Sequence, residues 1–236
     1  MAVLRGPIVA IGGGEMDTLK TLSIDRYIVG LTGKNHPKAL FIPTASGDAK
    51  GYISSFKKVY GMLLGCRVDV LSLIAETPQE DEMRSKILAA DLVYVGGGNS
   101  TLLMSRWSET GMAQYLADAH FSGTVLSGMS AGGNCWFDYG HTMVGNDKEQ
   151  EWKYIRGLGL IKGAFCPHFN QPMRRKSYGR VLARLGVAGY ALEDHSAIDI
   201  RNGESAILKS DPRSKAFRLY GDGEKVETIE LFPSSI

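Results

Sequence analysis

The chain lacks several features that would assign it to a membrane, secreted or metal-dependent class. No apolar run approaches the ~20 residues that span a bilayer. The three cysteines, Cys66, Cys135 and Cys166, form no CxxC pair and no disulfide framework, which predicts a reducing, cytoplasmic location. The first residues lead directly into a predicted strand, so we expect no signal peptide. No HExxH or comparable ligand cluster occurs, and we expect neither a metal nor another cofactor.

The chain also carries little net charge. Its 27 basic and 25 acidic side chains give a formal net charge of +2. This balance gives no reason to expect nucleic acid or an anionic membrane as a partner. The 236 residues, 44% of them hydrophobic and 22% charged, are ample for one large globular domain and tight for two. We therefore predict a single domain over residues 1–236, present as a monomer or a homodimer.

The first two thirds of the chain alternate predicted strands with predicted helices. Apolar runs at residues 7–11, 39–43, 68–71, 91–95 and 123–127 predict strands, and amphipathic stretches between them predict helices. This alternation predicts an α/β fold, a three-layer sandwich with a mostly parallel central sheet and helices on both faces. Near the C-terminus, an Asn-Gly pair at 202–203 and a Gly-Asp-Gly run at 221–223 predict antiparallel hairpins that extend one edge of the sheet.

Two triple-glycine segments follow predicted strands, at residues 12–14 and 96–98. Neither fits a dinucleotide fingerprint, because Asp17 and Thr101 occupy the position of its last glycine. No phosphate-binding GxxxxGK[ST] motif occurs either. Both segments could be simple tight turns. Because the carboxyl ends of parallel strands gather at one edge of a sheet, residues 96–98 could instead present backbone amides to a ligand.

Residues 128–132 have the sequence Gly-Met-Ser-Ala-Gly, which fits the pattern G-x-S-x-G. A predicted strand precedes this segment, and residues 133–137 can begin a helix. A strand-to-helix turn of this kind exposes a serine hydroxyl at the carboxyl edge of a sheet, as a nucleophile requires. The alternative is a purely structural turn. In the functional interpretation, the amide of Ala131 and the backbone amides of residues 96–99 would bind an oxyanion beside Ser130.

A nucleophilic serine needs a base, and histidine is the usual one. The chain has five histidines: His36, His120, His141, His168 and His195. His168 ends an apolar, strand-like segment, where a positioned imidazole is expected, and it is the first candidate. A third group should orient the imidazole. Glu193 and Asp194 follow another apolar strand, and Asp147 lies in an irregular polar segment, so all three acids are candidates.

Together these motifs resemble the peptidase E and cyanophycinase family of serine peptidases. Residues 95–100 (Val-Gly-Gly-Gly-Asn-Ser) resemble its glycine loop, and residues 128–134 resemble its Ser-Ala-Gly-x-Asn elbow. Residues 146–147 (Asn-Asp), residues 167–169 (Pro-His-Phe) and Glu193 fall in a similar order, and the likeness extends from residue 8 to about residue 200. The resemblance implies a fold akin to that of class I glutamine amidotransferases, with serine in place of their cysteine.

The resemblance also implies roles for individual residues. It implies a catalytic triad of Ser130, His168 and Glu193, with the amides of Ala131 and Gly98, or alternatively Gly97, as the oxyanion hole. The family favours acidic residues on the amino side of the scissile bond, for which an arginine would supply a fixed cation. Alternatively, the arginines are a solvated helix face. The predicted substrate contacts are Gly97, Asn99, Asp147, Arg175 and Arg180.

These observations predict a single catalytic domain that acts as a serine-type peptidase. It would hydrolyse small peptides, as an exopeptidase or dipeptidase, through an acyl-enzyme on Ser130. The bulky residues 136–139 (Trp-Phe-Asp-Tyr) depart from the dipeptidase pattern. Two other functions fit the same residues. One is an amidase or esterase acting on a non-peptide acyl substrate, and the other is a catalytically silent binding module.

Overall fold

The structure is a computed structural model that describes residues 5–145, 150–222 and 225–233. Its strands are β1 (Ile8–Ile11), β2 (Lys38–Ile42), β3 (Arg67–Val70), β4 (Leu92–Val95), β5 (Val125–Met129), β6 (Phe137–Gly145), β7 (Gln150–Arg156), β8 (Ile161–Cys166), β9 (Ala188–Leu192), β10 (Ser196–Arg201), β11 (Glu204–Lys209), β12 (Ala216–Gly221) and β13 (Val226–Leu231). Its helices are α1 (Leu22–Gly30), α2 (Lys50–Phe56), α3 (Glu80–Leu88), α4 (Ser100–Thr110), α5 (Met112–Phe121), α6 (Ala131–Asn134) and α7 (Pro172–Leu185). Within the described ranges, no helix has the length and apolar character needed to cross a bilayer.

A seven-stranded sheet forms the centre of the fold. Its strand order is β11-β10-β1-β5-β4-β2-β3. The five strands from β1 to β3 in this order pair in parallel, and β10 and β11 continue one edge in antiparallel pairing. The predicted α/β fold with a mostly parallel central sheet is therefore confirmed. The turn between β10 and β11 is the predicted Asn-Gly pair, in which both residues have positive φ.

A second, six-stranded sheet, which the sequence did not predict, lies beside the first. Its order is β13-β12-β9-β8-β6-β7, with β6, β8 and β9 parallel and the outer pairs antiparallel. The hairpin of β12 and β13 belongs to this sheet, whereas we expected it to extend the first. The reason is that β12 pairs with β9 over residues 216–220, so the hairpin joins the sheet that already contains β9.

The central sheet is buried on both faces. In β1, Ile8 and Ala10 pack into one hydrophobic cluster, while Val9 and Ile11 pack into another. This alternation follows from the two-residue period of a strand. Helices α3, α4 and α5 cover the first face, and α1, α2 and the π-helical segment Lys57–Leu63 cover the second. The second sheet contributes residues to the first cluster and packs its other face against α7.

A buried carboxyl group lies under the second face of the central sheet. Asp25 of α1 accepts hydrogen bonds from the hydroxyls of Tyr60 and Thr21, each at 2.9 Å. Burial raises the pKa of Asp25 to about 6, and the two hydrogen bonds oppose this shift only in part. Compared with the unfolded chain, the folded protein therefore favours the protonated form of Asp25. The resulting contribution to stability is present below about pH 4 and is lost as the pH rises through 6.

The variant Asp25→Asn should remove this pH dependence, because its side chain does not titrate. Relative to the wild type, we expect the variant to gain about 3 kcal/mol in free energy of unfolding between acidic and neutral pH. Urea unfolding of both proteins at pH values from 4 to 8 measures the difference. A constant difference between the two proteins over this range would contradict the assignment.

Candidate active site

Five strands from both sheets end at one place. They are β1, β4 and β5 of the central sheet and β8 and β9 of the second sheet. Backbone hydrogen bonds join the segments that follow them. The Ser130 amide donates to the carbonyl of Ile11 at 3.0 Å, and the His168 amide donates to the carbonyl of Gly12 at 2.9 Å. The carboxyl edge of the parallel strands, where ligands bind in folds of this kind, is thus shared by the two sheets.

Ser130 occupies a sharp turn directly after β5. Its backbone angles, φ 55° and ψ −109°, are strained for a residue with a side chain, at a cost of about 1–3 kcal/mol. Glycines make the turn possible. A Cβ on Gly128 would lie 2.3 Å from the carbonyl oxygen of Gly132, and one on Gly132 would lie 2.1 Å from that of Val95. The helix that follows, α6, ends at Asn134, earlier than we expected, because Phe137 already belongs to β6.

Ser130, His168 and Asp194 form a continuous hydrogen-bonded chain. The Oγ of Ser130 lies 2.8 Å from Nε2 of His168, and Nδ1 of His168 lies 2.5 Å from Oδ1 of Asp194. An ionised carboxylate can only accept, so Nδ1 carries the imidazole proton and Nε2 presents its lone pair to the serine hydroxyl. The arrangement has the geometry of a nucleophile, a base and an orienting acid.

Glu193, the acid that the resemblance implied, does not contact His168 in this structure. Its Oε1 pairs with Nη2 of Arg175 at 2.8 Å, and its Oε2 accepts from the amide of Lys215 at 2.9 Å. The cause is that β9 ends at Leu192 and the chain turns at residues 194–195. The Glu193 amide still pairs with the carbonyl of Lys215, and Asp194 is the next residue, so its side chain turns towards the imidazole.

The surroundings of Asp194 keep its carboxylate charged. Burial alone would raise its pKa, but hydrogen bonds with His168 and Asn170 hold that pKa below its usual value. The amide of Asn170 donates to Oδ2 at 3.0 Å, and its Oδ1 accepts from the backbone amide of Asp194 at 3.3 Å. Asn170 was not predicted from the sequence, where its only signal is its place two residues after His168.

Two backbone amides beside Ser130 are free to bind an oxyanion. Those of Gly98 and Ala131 donate to no acceptor among the residues that the structure describes. A Cβ on Gly97 would lie 3.5 Å from Cβ of Ser130, so the glycine loop runs directly past the serine. The Gly97 amide is engaged, since it donates to the hydroxyl of Tyr52 at 3.3 Å. Gly98 and Ala131 therefore fit the predicted pair of donors better than Gly97 does.

The first glycine loop, residues 12–14, also belongs to the site. The carbonyl of Gly13 accepts a hydrogen bond from the His195 amide at 2.9 Å, and the carbonyl of Gly12 accepts one from the His168 amide at the same distance. A Cβ on Gly13 would lie 2.0 Å from Oδ1 of Asp194 and 2.4 Å from Nδ1 of His168. From the sequence this loop could be a simple turn and was assigned no role at the site, although its place after β1 put it at the same sheet edge.

Gly13→Ala should displace the pair of His168 and Asp194. Since a misplacement of about 1 Å at a reacting group can cost about 10²-fold in rate, we expect kcat/KM to fall by that order. Gly30→Ala is the matched control, because a Cβ at Gly30 on α1 meets no described atom within 4 Å. Steady-state assays of both variants test the expectation. Full activity of Gly13→Ala, with unchanged thermal unfolding, would contradict it.

A cleft of about 480 Å³ opens at the serine. The side chains of Ser130 and His168 lie at its wall, together with the glycine loop 97–98 and Tyr52. Glu15 and Asp17, both exposed, line it on another side. This volume lies in the range of about 300–1,000 Å³ that is typical of small-ligand sites.

The other predicted substrate contacts lie elsewhere or serve the fold. Asn99 caps α4, since its Oδ1 accepts from the amides of Thr101 and Leu102 at 2.9 and 3.0 Å. Arg175 pairs with Glu193, as described above. Arg180 does lie on α7, as predicted, but it lines a different cleft.

Two further predictions concern Asp147 and a metal. Asp147 lies outside the described residues. Within the described ranges, no group of three or more His, Cys, Asp or Glu side chains could hold a metal ion.

The sequence of the chain matches a known protein family. Residues 8–208 match the sequence model of Peptidase family S51. A match over most of the chain shows that it belongs to this family, and membership supports a serine peptidase.

Relatives and solved structures agree with this membership. The chain is 33% identical over 228 residues to the uncharacterized peptidase YgaJ of Bacillus subtilis, with 95% of this chain and 96% of the relative covered. It is 27% identical over 188 residues to Peptidase E of Streptomyces coelicolor, with 75% and 73% covered. The crystal structure of a peptidase from an acI-B1 Actinobacterium superposes with a TM-score of 0.70 at 21% identity, over 97% of this chain and 96% of that one. At this identity the last likeness shows the fold alone.

Proposed function

We propose that this chain hydrolyses small peptides through an acyl-enzyme on Ser130, with His168 as the base and Asp194 as the orienting acid. The hydrogen-bonded chain from Ser130 Oγ to His168 Nε2 and from His168 Nδ1 to Asp194 is the observation that carries the proposal. Membership of family S51 agrees with it. The choice of Asp194 replaces the Glu193 of the sequence prediction.

The proposed reaction has two halves. His168 Nε2 takes the proton of Ser130 as its Oγ attacks the peptide carbonyl, and the amides of Gly98 and Ala131 bind the resulting oxyanion. The intermediate collapses as the imidazolium of His168 gives its proton to the leaving amine. Water, deprotonated by the same imidazole, then attacks the acyl-serine, and collapse of the second intermediate restores Ser130 and releases the acid. Asp194 stays ionised throughout and stabilises the imidazolium.

The cleft supports a short substrate. Its volume of about 480 Å³ suits a ligand of a few residues better than a long polypeptide. This size favours the predicted exopeptidase or dipeptidase activity.

Cys66, Cys135 and Cys166 are buried free thiols, which agrees with the proposed reducing, cytoplasmic location.

The charges around the cleft do not favour an acidic substrate. Glu15 and Asp17 line it, and no lysine or arginine does so among the described residues. Arg175, which the family resemblance would use to bind an acidic side chain, is paired with Glu193. We therefore expect residues with neutral or cationic side chains to be accepted more readily than aspartate beside the scissile bond.

A substrate screen tests the proposal. Dipeptides and tripeptides with alanine, lysine or aspartate beside the scissile bond are compared with simple amides and p-nitrophenyl esters, and kcat/KM is measured for each. The expected result is hydrolysis of at least one peptide class, absent in Ser130→Ala. Turnover of amides or esters without any peptide would favour the amidase or esterase function.

A fluorophosphonate probe provides a readout that does not depend on the substrate. Modification of Ser130, located by peptide mapping, supports an activated nucleophile. A folded protein that neither reacts with the probe nor hydrolyses any compound in the screen would instead be a silent binding module.

A further inference from the structure

The hydroxyl of Tyr52 contacts the glycine loop that leads to the candidate oxyanion hole. Tyr52 is the third residue of α2 and lines the same cleft as Ser130. Its hydroxyl oxygen accepts the hydrogen bond from the Gly97 amide at 3.3 Å. Because the oxygen acts as the acceptor in this contact, the phenolic proton remains available for another acceptor.

The phenol ring is held in place by Phe41 and by the backbone of Gly96. It packs edge-on against Phe41, with ring centroids 5.0 Å apart. A Cβ on Gly96 would lie 3.0 Å from Cε1 of Tyr52 and 3.2 Å from the ring of Phe41, so the two rings together occupy the space that a side chain at Gly96 would need. The hydroxyl is therefore positioned before any substrate arrives, as a donor to a transition state must be.

From this position we infer that Tyr52 is a further catalytic residue. Its O–H donates a hydrogen bond to the oxyanion of the tetrahedral intermediate, beside the amides of Gly98 and Ala131. The inference rests on the proposed function. It follows from the contact with Gly97, because the backbone of Gly97 passes Ser130 and leads directly to the free amide of Gly98.

The protonation state of Tyr52 agrees with a donor. Burial raises the pKa of the phenol to about 12, and the charge of Asp25 acts in the same direction, while the Gly97 amide and the Tyr94 hydroxyl oppose this shift only in part. The hydroxyl therefore keeps its proton at neutral pH. It can donate a hydrogen bond but cannot serve as a base or a nucleophile there.

The variant Tyr52→Phe tests the inference. Loss of one oxyanion donor should lower kcat by on the order of 10- to 10²-fold and leave KM nearly unchanged. The rate of fluorophosphonate modification of Ser130 should fall by a similar factor, because that reaction also develops charge on an oxygen in the hole. Tyr27→Phe is the matched control, since the Tyr27 hydroxyl pairs with Asp199 and does not line the cleft.

A second substitution separates donation to substrate from support of the loop. Difluorotyrosine incorporated at position 52 retains the ring and lowers the pKa of the phenol. Once ionised, its oxygen still accepts from the Gly97 amide but can no longer donate to an oxyanion. We expect an alkaline decline in kcat at a lower pH than in the wild type. A role in loop support alone would produce no such decline.

The outcomes distinguish this inference from the proposed function. A wild type that hydrolyses peptides, with Tyr52→Phe equally active, overturns the inference alone. So does a difluorotyrosine protein whose pH profile matches that of the wild type. A folded wild type that neither hydrolyses peptides nor reacts with the fluorophosphonate overturns the proposed function, and the inference with it.

Discussion

Ser130→Ala should lose almost all peptidase activity, with kcat/KM lower by on the order of 10⁴-fold or more. The hydroxyl oxygen that lies 2.8 Å from His168 Nε2 is the atom proposed to form the acyl bond, and alanine offers no replacement. The amides of Gly98 and Ala131 would remain, so we expect a small residual rate that still exceeds the rate of uncatalysed hydrolysis in water. Steady-state hydrolysis of the best peptide from the screen measures the loss.

Ser108→Ala is the control for this variant. Ser108 is an exposed residue of α4 and does not line the cleft at Ser130. Its replacement should leave kcat/KM unchanged, and both variants should unfold at the temperature of the wild type. Peptide hydrolysis by Ser130→Ala at more than about a hundredth of the wild-type rate would mean that another group is the nucleophile.

Asp194→Asn should have the next largest effect, a fall in kcat on the order of 10³- to 10⁴-fold. An asparagine amide can donate to Nδ1 of His168, which favours the tautomer whose proton lies on Nε2. That tautomer cannot accept the proton of Ser130. The variant also removes the negative charge that stabilises the imidazolium.

Glu193→Gln is the matched comparison, because it makes the same chemical change one residue earlier. In the wild type, the carboxylate of Glu193 pairs with Arg175, whose side chain is half exposed. We expect kcat to fall by less than about fivefold, since Glu193 does not contact Ser130 or His168 and an ion pair with a half-exposed arginine contributes only about 1 kcal/mol. Measured under the same conditions, the opposite ranking of the two variants would restore Glu193 as the orienting acid.

Strand patterns predicted the central sheet because its strands are short, apolar and followed by glycine or polar residues. The same patterns identified Ser130 and His168, since each follows a strand at the shared edge. These features are local in sequence, so a single sequence is enough to predict them. The second sheet was missed because it depends on pairing between β9 and β12, and no local signal specifies that partner.

The choice between Glu193 and Asp194 shows the same limit. Both acids follow β9, and both satisfy the sequence requirement for a third catalytic group. The structure distinguishes them through contacts with distant residues, namely Arg175 and Lys215 for Glu193, and His168 for Asp194. Residue spacing does not reveal these contacts, and the role of Gly13 was missed for the same reason.

The division of the site between the two sheets also has a consequence during synthesis of the chain. On the ribosome, β1, β4 and β5 emerge with Ser130 before His168 and Asp194 have been synthesised. The nascent chain therefore contains Ser130 but not yet its base. The carbonyls of Gly12 and Gly13 also lack their hydrogen-bond donors, which are the amides of His168 and His195. Under the proposed mechanism, a chain synthesised only as far as Ser130 cannot hydrolyse peptides, because its base lies 38 residues further along the sequence.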